Sequence, residues 1–142
     1  MATKRRAEVV WEGNLTEGSG TIVSNTSGAL PQLPVSWASR SEEPNGKTSP
    51  EELIAAAHAA CYAMALSHGL AEAGHTAERL ETSATVTFQP GEGIKSSELT
   101  VRAVVPGSDA EEFRRTAEDA KAGCPVSQAL AGLEITLDAQ LG

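Results

Sequence analysis

Hydrophobic and polar positions alternate most cleanly in the second half of the chain. The tail Leu133-Glu-Ile-Thr-Leu-Asp-Ala-Gln-Leu141 alternates without a fault, which predicts a half-buried strand. Residues 80–88 predict another, with Ala84, Val86 and Phe88 alternating against Thr85 and Thr87. Leu99, Val101, Ala103 and Val105 then alternate with Thr100, Arg102 and Val104. The turn Pro90-Gly-Glu-Gly93 between these two runs predicts a hairpin. The first quarter is choppier. Ala7-Glu-Val-Val-Trp-Glu12, Thr21-Ile-Val23, Gly28-Ala-Leu30 and Val35-Ser-Trp37 are short apolar runs set off by glycines and by Pro31 and Pro34. They predict two or three short antiparallel strands over residues 6–37. Residues 38–48 hold almost nothing apolar and predict a loop.

Helical signals fall between the strands. Ser49-Pro-Glu-Glu52 combines a capping serine, a proline at the first helical position and a carboxylate three residues after the cap. The following run, Leu53-Ile-Ala-Ala-Ala-His-Ala-Ala-Cys-Tyr-Ala-Met-Ala-Leu66, is apolar nearly all round and meets no strong breaker before Gly69. It predicts a long central helix buried on most sides. Ser108-Asp-Ala-Glu111 reads as a second capping box, opening a polar helix through Lys121 with Phe113 on its inner face and Gly123 at its stop. Cys124-Pro125 reads as a fresh helix start, running to about Leu130. The order predicts an α+β fold: antiparallel sheets with a long buried helix packed on them.

Composition narrows the function. With 142 residues, no linker and no repeat, residues 1–142 predict a single domain. The net charge of −8 and the scattered lysines and arginines exclude a nucleic-acid surface. No apolar run approaches the ~20 residues of a membrane span. The basic start Met1-Ala-Thr-Lys-Arg-Arg6 is not followed by the apolar stretch of a signal peptide, which makes a cytoplasmic setting the expectation. Two cysteines cannot build a disulfide scaffold, so both sulfurs need a different explanation.

Cys124, just before Pro125 at a helix start, faces unpaired backbone N–H groups that favour a thiolate. That makes it a plausible reactive thiol. Cys61, inside the apolar helix, reads either as a small core hydrophobe or as the second member of a redox couple. His58 shares a helix face with Cys61, either as a coincidence of spacing or as its general base. A zinc site built from His58, Cys61 and Cys124 lacks a fourth ligand at any recognisable spacing, because His68 and His75 read as surface residues. A reactive thiol also needs a cation to hold it ionised, and Arg40 is the candidate. Glu51 or Glu52 can orient its guanidinium as a bidentate partner. Ten residues of helix put Glu51 roughly 15 Å from Cys61, so a long side chain such as Arg40 has to span between them.

Thr48-Ser-Pro-Glu-Glu-Leu-Ile54, Ala56-Ala-His-Ala-Ala-Cys61 and Ala122-Gly-Cys-Pro-Val-Ser-Gln128 closely resemble the osmotically inducible protein C (OsmC) family of hydroperoxide peroxidases. Trp11-Glu-Gly13 and Glu134-Ile-Thr-Leu-Asp138 look like the same family, so the resemblance spans essentially the whole chain. It implies an OsmC-like, intertwined α+β homodimer that reduces organic hydroperoxides to alcohols in oxidative or osmotic stress defence. It implies Cys61 as the peroxidatic cysteine, which becomes a sulfenic acid, and Cys124 as the resolving cysteine, which closes an intramolecular disulfide. Arg40 matches the arginine that stabilises thiolate and peroxide, and Glu51 the glutamate that orients it. In the sister branch of organic hydroperoxide resistance proteins that arginine lies nearer the N-terminus, where this chain has Glu17 to Gly20 and no arginine. No bound cofactor or metal is implied; the reductant is an external small dithiol or a lipoylated protein. The apolar helix around Cys61 predicts a preference for alkyl or lipid hydroperoxides over hydrogen peroxide. A competing reading keeps the fold but not the chemistry: a dimeric module for a lipid-like ligand, with structural cysteines.

Overall fold

The computed structural model describes all residues, Met1–Gly142, and the chain forms two compact units, Met1–Leu53 and Ile54–Gly142. In the first unit, β1 (Ala7–Glu12), β2 (Ser19–Asn25) and β3 (Leu33–Val35) pair antiparallel in that order. β1 is exposed along its whole length, although Val9, Val10 and Trp11 are apolar. Gly20 is there for contact reasons: a Cβ on it would lie 2.7 Å from the Trp11 ring and 2.9 Å from Val35. Only glycine lets Trp11 cross β2 at this depth.

Part of the loop predicted over residues 38–48 is helical. α1 (Trp37–Ser41) begins at Ser36, whose side chain accepts from the Ser39 amide, while the Ser39 hydroxyl accepts from the Ser36 amide. The pattern was obscured because the second capping partner is a serine rather than Glu or Gln. Ser39 also donates to the Thr48 carbonyl at 3.0 Å, which fastens the remaining loop.

α2 (Pro50–Glu72) starts where the sequence places it, with the Ser49 hydroxyl accepting from the Glu52 amide at 3.1 Å. The Glu52 carboxylate accepts from the Thr48 hydroxyl at 2.6 Å instead of reaching back to Ser49, so only half of the expected box forms. The helix also differs from the expectation of burial on most sides. It buries one stripe of four-residue spacing, His58, Tyr62, Leu66 and Leu70, each fully enclosed, and leaves Met64 68% exposed. The alanines between are too small to need a core on every side. By length and composition α2 is apolar enough to cross a membrane, contrary to the reading of the sequence. Its buried stripe is spent on protein packing instead.

In the second unit β4 (Arg79–Gln89) and β5 (Gly93–Val104) form the expected hairpin, paired from Arg79↔Val104 to Gln89↔Gly93. β6 (Glu134–Leu141) lies on the other side of β5 but runs parallel to it, from Ser96↔Glu134 to Ala103↔Leu141. This corrects the all-antiparallel expectation. The intervening chain folds as α3 (Ala110–Gly123) and α4 (Pro125–Ala129), the helical crossover that a parallel pair needs. α3 is capped one residue later than predicted, by Asp109, which accepts from the Glu112 amide at 2.8 Å. Tyr62, Leu66 and Leu70 pack against Leu99, Val101, Ala103 and Val105 of the β5 segment and against Phe113, Ala117 and Ala120 of α3. Each large side chain buried there contributes roughly 1.5–3 kcal/mol.

Candidate active site

Two polar constellations stand out, one in each unit. In the first, Arg40 ends α1 and Glu51 opens α2. The guanidinium is bidentate on the carboxylate, with Nε 3.1 Å from both Oε1 and Oε2 and Nη2 2.9 Å from Oε2. Glu51 is buried and the Arg40 side chain remains 32% exposed. The carboxylate thus fixes the plane of the guanidinium at the surface end of the pair. Between the two candidate carboxylates, Glu51 is the partner and Glu52 serves the helix start.

In the second unit Cys61 on α2 and Cys124 at the start of α4 are both free thiols, near enough for each to shift the pKa of the other. Cys124 is fully buried, whereas Cys61 is partly exposed. Their environments push them apart. The Cys61 pKa is raised, first by burial and then by the neighbouring Cys124 side chain, against a smaller lowering by the Val126 amide. For Cys124 burial is the largest single influence and acts upward. The combined hydrogen bonding of Cys61, of the Ser127 amide and hydroxyl and of the Val126 amide outweighs it and lowers the pKa. The Cys124 side chain makes no cap hydrogen bond to the start of α4. The expectation that Cys124 is locally the easier thiolate is therefore met within this unit.

His58 does not serve Cys61 as a base. Its Nδ1 lies 2.6 Å from the Ser97 Oγ and its Nε2 2.8 Å from the Ser127 Oγ, so both ring nitrogens are taken. Burial lowers its pKa, which keeps the ring neutral. The same two serines rule His58 out as a zinc ligand, and no group of three or more His, Cys, Asp or Glu side chains is gathered to hold a metal ion. His68 is exposed as expected, while His75 is half-buried against Glu112. Ser97 and Ser127 were not singled out by sequence reasoning. Ser97 had a signal: it extends the inward register of Leu99, Val101 and Ala103, which makes it a polar residue on an apolar face. Ser127 had one only through its position three residues after Cys124.

Two neighbouring free thiols, drawn from a long helix and a helix start in an α+β fold, define a thiol redox protein. The profile of the OsmC-like protein family matches residues 43–138. Peroxiredoxin OsmC of Escherichia coli (strain K12) is 46% identical over 144 residues, covering 99% of both chains. Among solved structures, an organic hydroperoxide resistance protein from Elizabethkingia anophelis superposes with a TM-score of 0.70 at 25% identity, covering 100% of both chains. An OsmC-like protein from Mycoplasma pneumoniae shares the fold with a TM-score of 0.73 at 18% identity, covering 99% of both. The chain belongs to the OsmC family. It is a thiol peroxidase, and the reading as a lipid-binding module with structural cysteines falls away.

Proposed function

We propose that the protein reduces organic hydroperoxides to alcohols, with Cys61 attacking and Cys124 resolving. The carrying observation is a pair of neighbouring free thiols, one partly exposed and one buried. The Cys61 sulfur attacks the terminal peroxide oxygen; an S–O bond forms, the O–O bond breaks, and the alkoxide leaves with the thiol proton as alcohol. The Cys124 sulfur then attacks the Cys61 sulfenic acid, forming the disulfide and releasing water. An external dithiol of the lipoyl type restores both thiols by exchange. Access favours Cys61 for the first step, since a peroxide reaches the partly exposed sulfur before the enclosed one. Local electrostatics favour Cys124 for the second, which needs a thiolate nucleophile. Because its surroundings keep Cys61 protonated, the first step calls for a cation, the role assigned to Arg40 with Glu51 as its orienter. The bidentate pair supports that role, because it fixes the plane and position of the guanidinium.

The apolar length of α2 around Cys61 supports a preference for alkyl over hydrogen peroxide. Val9, Val10 and Trp11 on β1 and Met64 on α2 leave apolar surface open, which supports a homodimer. Relatives matched over 99% of both chains support residues 1–142 acting as one OsmC-like domain, and a cytoplasmic location suits two reduced thiols. The assignment is tested on Cys124→Ser treated with one equivalent of cumene hydroperoxide. Mass spectrometry should find one oxygen added at Cys61; an unmodified Cys61 with persisting peroxide turnover would overturn it.

A further inference from the structure

The mechanism above leaves His58 unused, yet its side chain on α2 is fully enclosed and both of its nitrogens are committed. Its partners come from far along the chain, Ser97 on β5 and Ser127 on α4, and both are buried. Ser127 is the third residue of α4, whose N-cap is Cys124, the position from which a side chain lies back over the cap. Its amide and hydroxyl help to lower the Cys124 pKa. Hydrogen-bond directions along this chain are coupled, because each hydroxyl has one proton and a neutral imidazole has one N–H. If the Ser127 hydroxyl donates to sulfur, its oxygen must accept from His58 Nε2–H, and His58 Nδ1 must then accept from the Ser97 hydroxyl. All donors and acceptors are then used, and no buried polar side-chain atom is left without a partner. Reversing Ser127 would aim its lone pairs at the sulfur and remove one of the donors that favour the thiolate.

We propose that His58 is a positioning residue for the resolving step: held by Ser97, it orients the Ser127 hydroxyl onto Cys124 and so readies that sulfur to attack the Cys61 sulfenic acid. This rests on the reading of Cys124 as the resolving cysteine. The ring stays neutral throughout and exchanges no proton with Cys61. Its effect falls on the second chemical step rather than on the first.

The test separates the two steps by rapid mixing of reduced enzyme with cumene hydroperoxide, following sulfenic acid formation with a trapping reagent and disulfide formation by quenched thiol alkylation. Ser127→Ala removes one hydrogen bond to a charged group and should slow disulfide formation about tenfold. Sulfenic acid formation should slow far less, and more Cys61 should be over-oxidised at excess peroxide. His58→Leu should show the same split, and His58→Gln, which keeps an N–H toward Ser127, should recover most of the rate. Ser127→Ala decides the matter if His58→Leu does not fold. Equal slowing of both steps, or disulfide formation at the wild-type rate in Ser127→Ala, overturns the inference while the reading of Cys124 stands. A wild-type protein that closes no Cys61–Cys124 disulfide overturns that reading, and the inference with it.

Discussion

Arg40 with Glu51 and His58 with its two serines are both polar groups held by protein rather than by water, but they are built on opposite terms. The first pair is charged, joins residues eleven positions apart, and keeps the Arg40 side chain about one-third exposed. The second is neutral, joins residues 39 and 69 positions apart, and is sealed from solvent at its centre. A buried charge is tolerable only with its counter-charge in place, so Glu51 is enclosed beside Arg40 and the guanidinium sits at the boundary. A neutral imidazole between hydroxyls costs far less to enclose and can be placed in the core, where it holds geometry rather than charge. The difference teaches a division of labour: the charged pair should govern rate, and the neutral chain should govern both order and stability.

That division can be broken at its strongest point by Arg40→Met. Losing a preset donor set for the developing anion should lower kcat/KM for cumene hydroperoxide by about 10²–10³-fold, on the scale of a removed oxyanion donor. The unfolding midpoint in urea should move little. A large stability loss with little change in kcat/KM would invert the comparison. Glu51→Gln keeps an oxygen for the guanidinium but removes the charge, and should cost about tenfold in kcat/KM under the same assay.

His58→Phe probes the other side. It strands the Ser97 and Ser127 hydroxyls in the core and should destabilise the protein by about 2–4 kcal/mol, read from urea unfolding of the reduced protein. A milder companion is pH. The folded-state pKa of His58 lies below the 6.5 of a free histidine because burial disfavours the charged ring. Below pH 6.5 the unfolded chain therefore binds a proton that the folded chain does not. Stability is fully present above about 6.5 and falls as pH drops toward the depressed folded pKa, with a slope of up to about 1.4 kcal/mol per pH unit. His58→Gln should flatten that slope in urea unfolding between pH 5 and 7. The smallest effect is expected from Tyr62→Phe, which removes only the hydroxyl donated to the Ala117 carbonyl at 3.1 Å. It should cost about 1 kcal/mol and leave peroxide reduction intact.

How much of this was legible beforehand follows the range of the interactions. The hairpin of β4 and β5, the start of α2 at Ser49 and the β6 strand were readable because each is written in neighbouring residues: alternation, turn and cap. Arg40 and Glu51 were readable as a pair for the same reason, since both flank one short loop. The parallel register of β6, the single buried stripe of α2 and the Ser97–His58–Ser127 chain were not readable, because alternation specifies a face but not which strand lies beside it. His58 shows the limit best. Its helical spacing pointed to Cys61, one turn away on the same element, whereas packing turned the ring toward β5 and α4. The amino-acid sequence by itself determined the α+β class, the start of α2, the β4–β5 hairpin and the two thiols, because local backbone preference and apolar periodicity suffice for these. Only the tertiary structure decided that the thiols meet, which of them is enclosed, and that a neutral histidine stands behind the buried one, because those depend on contacts between segments that no local pattern encodes.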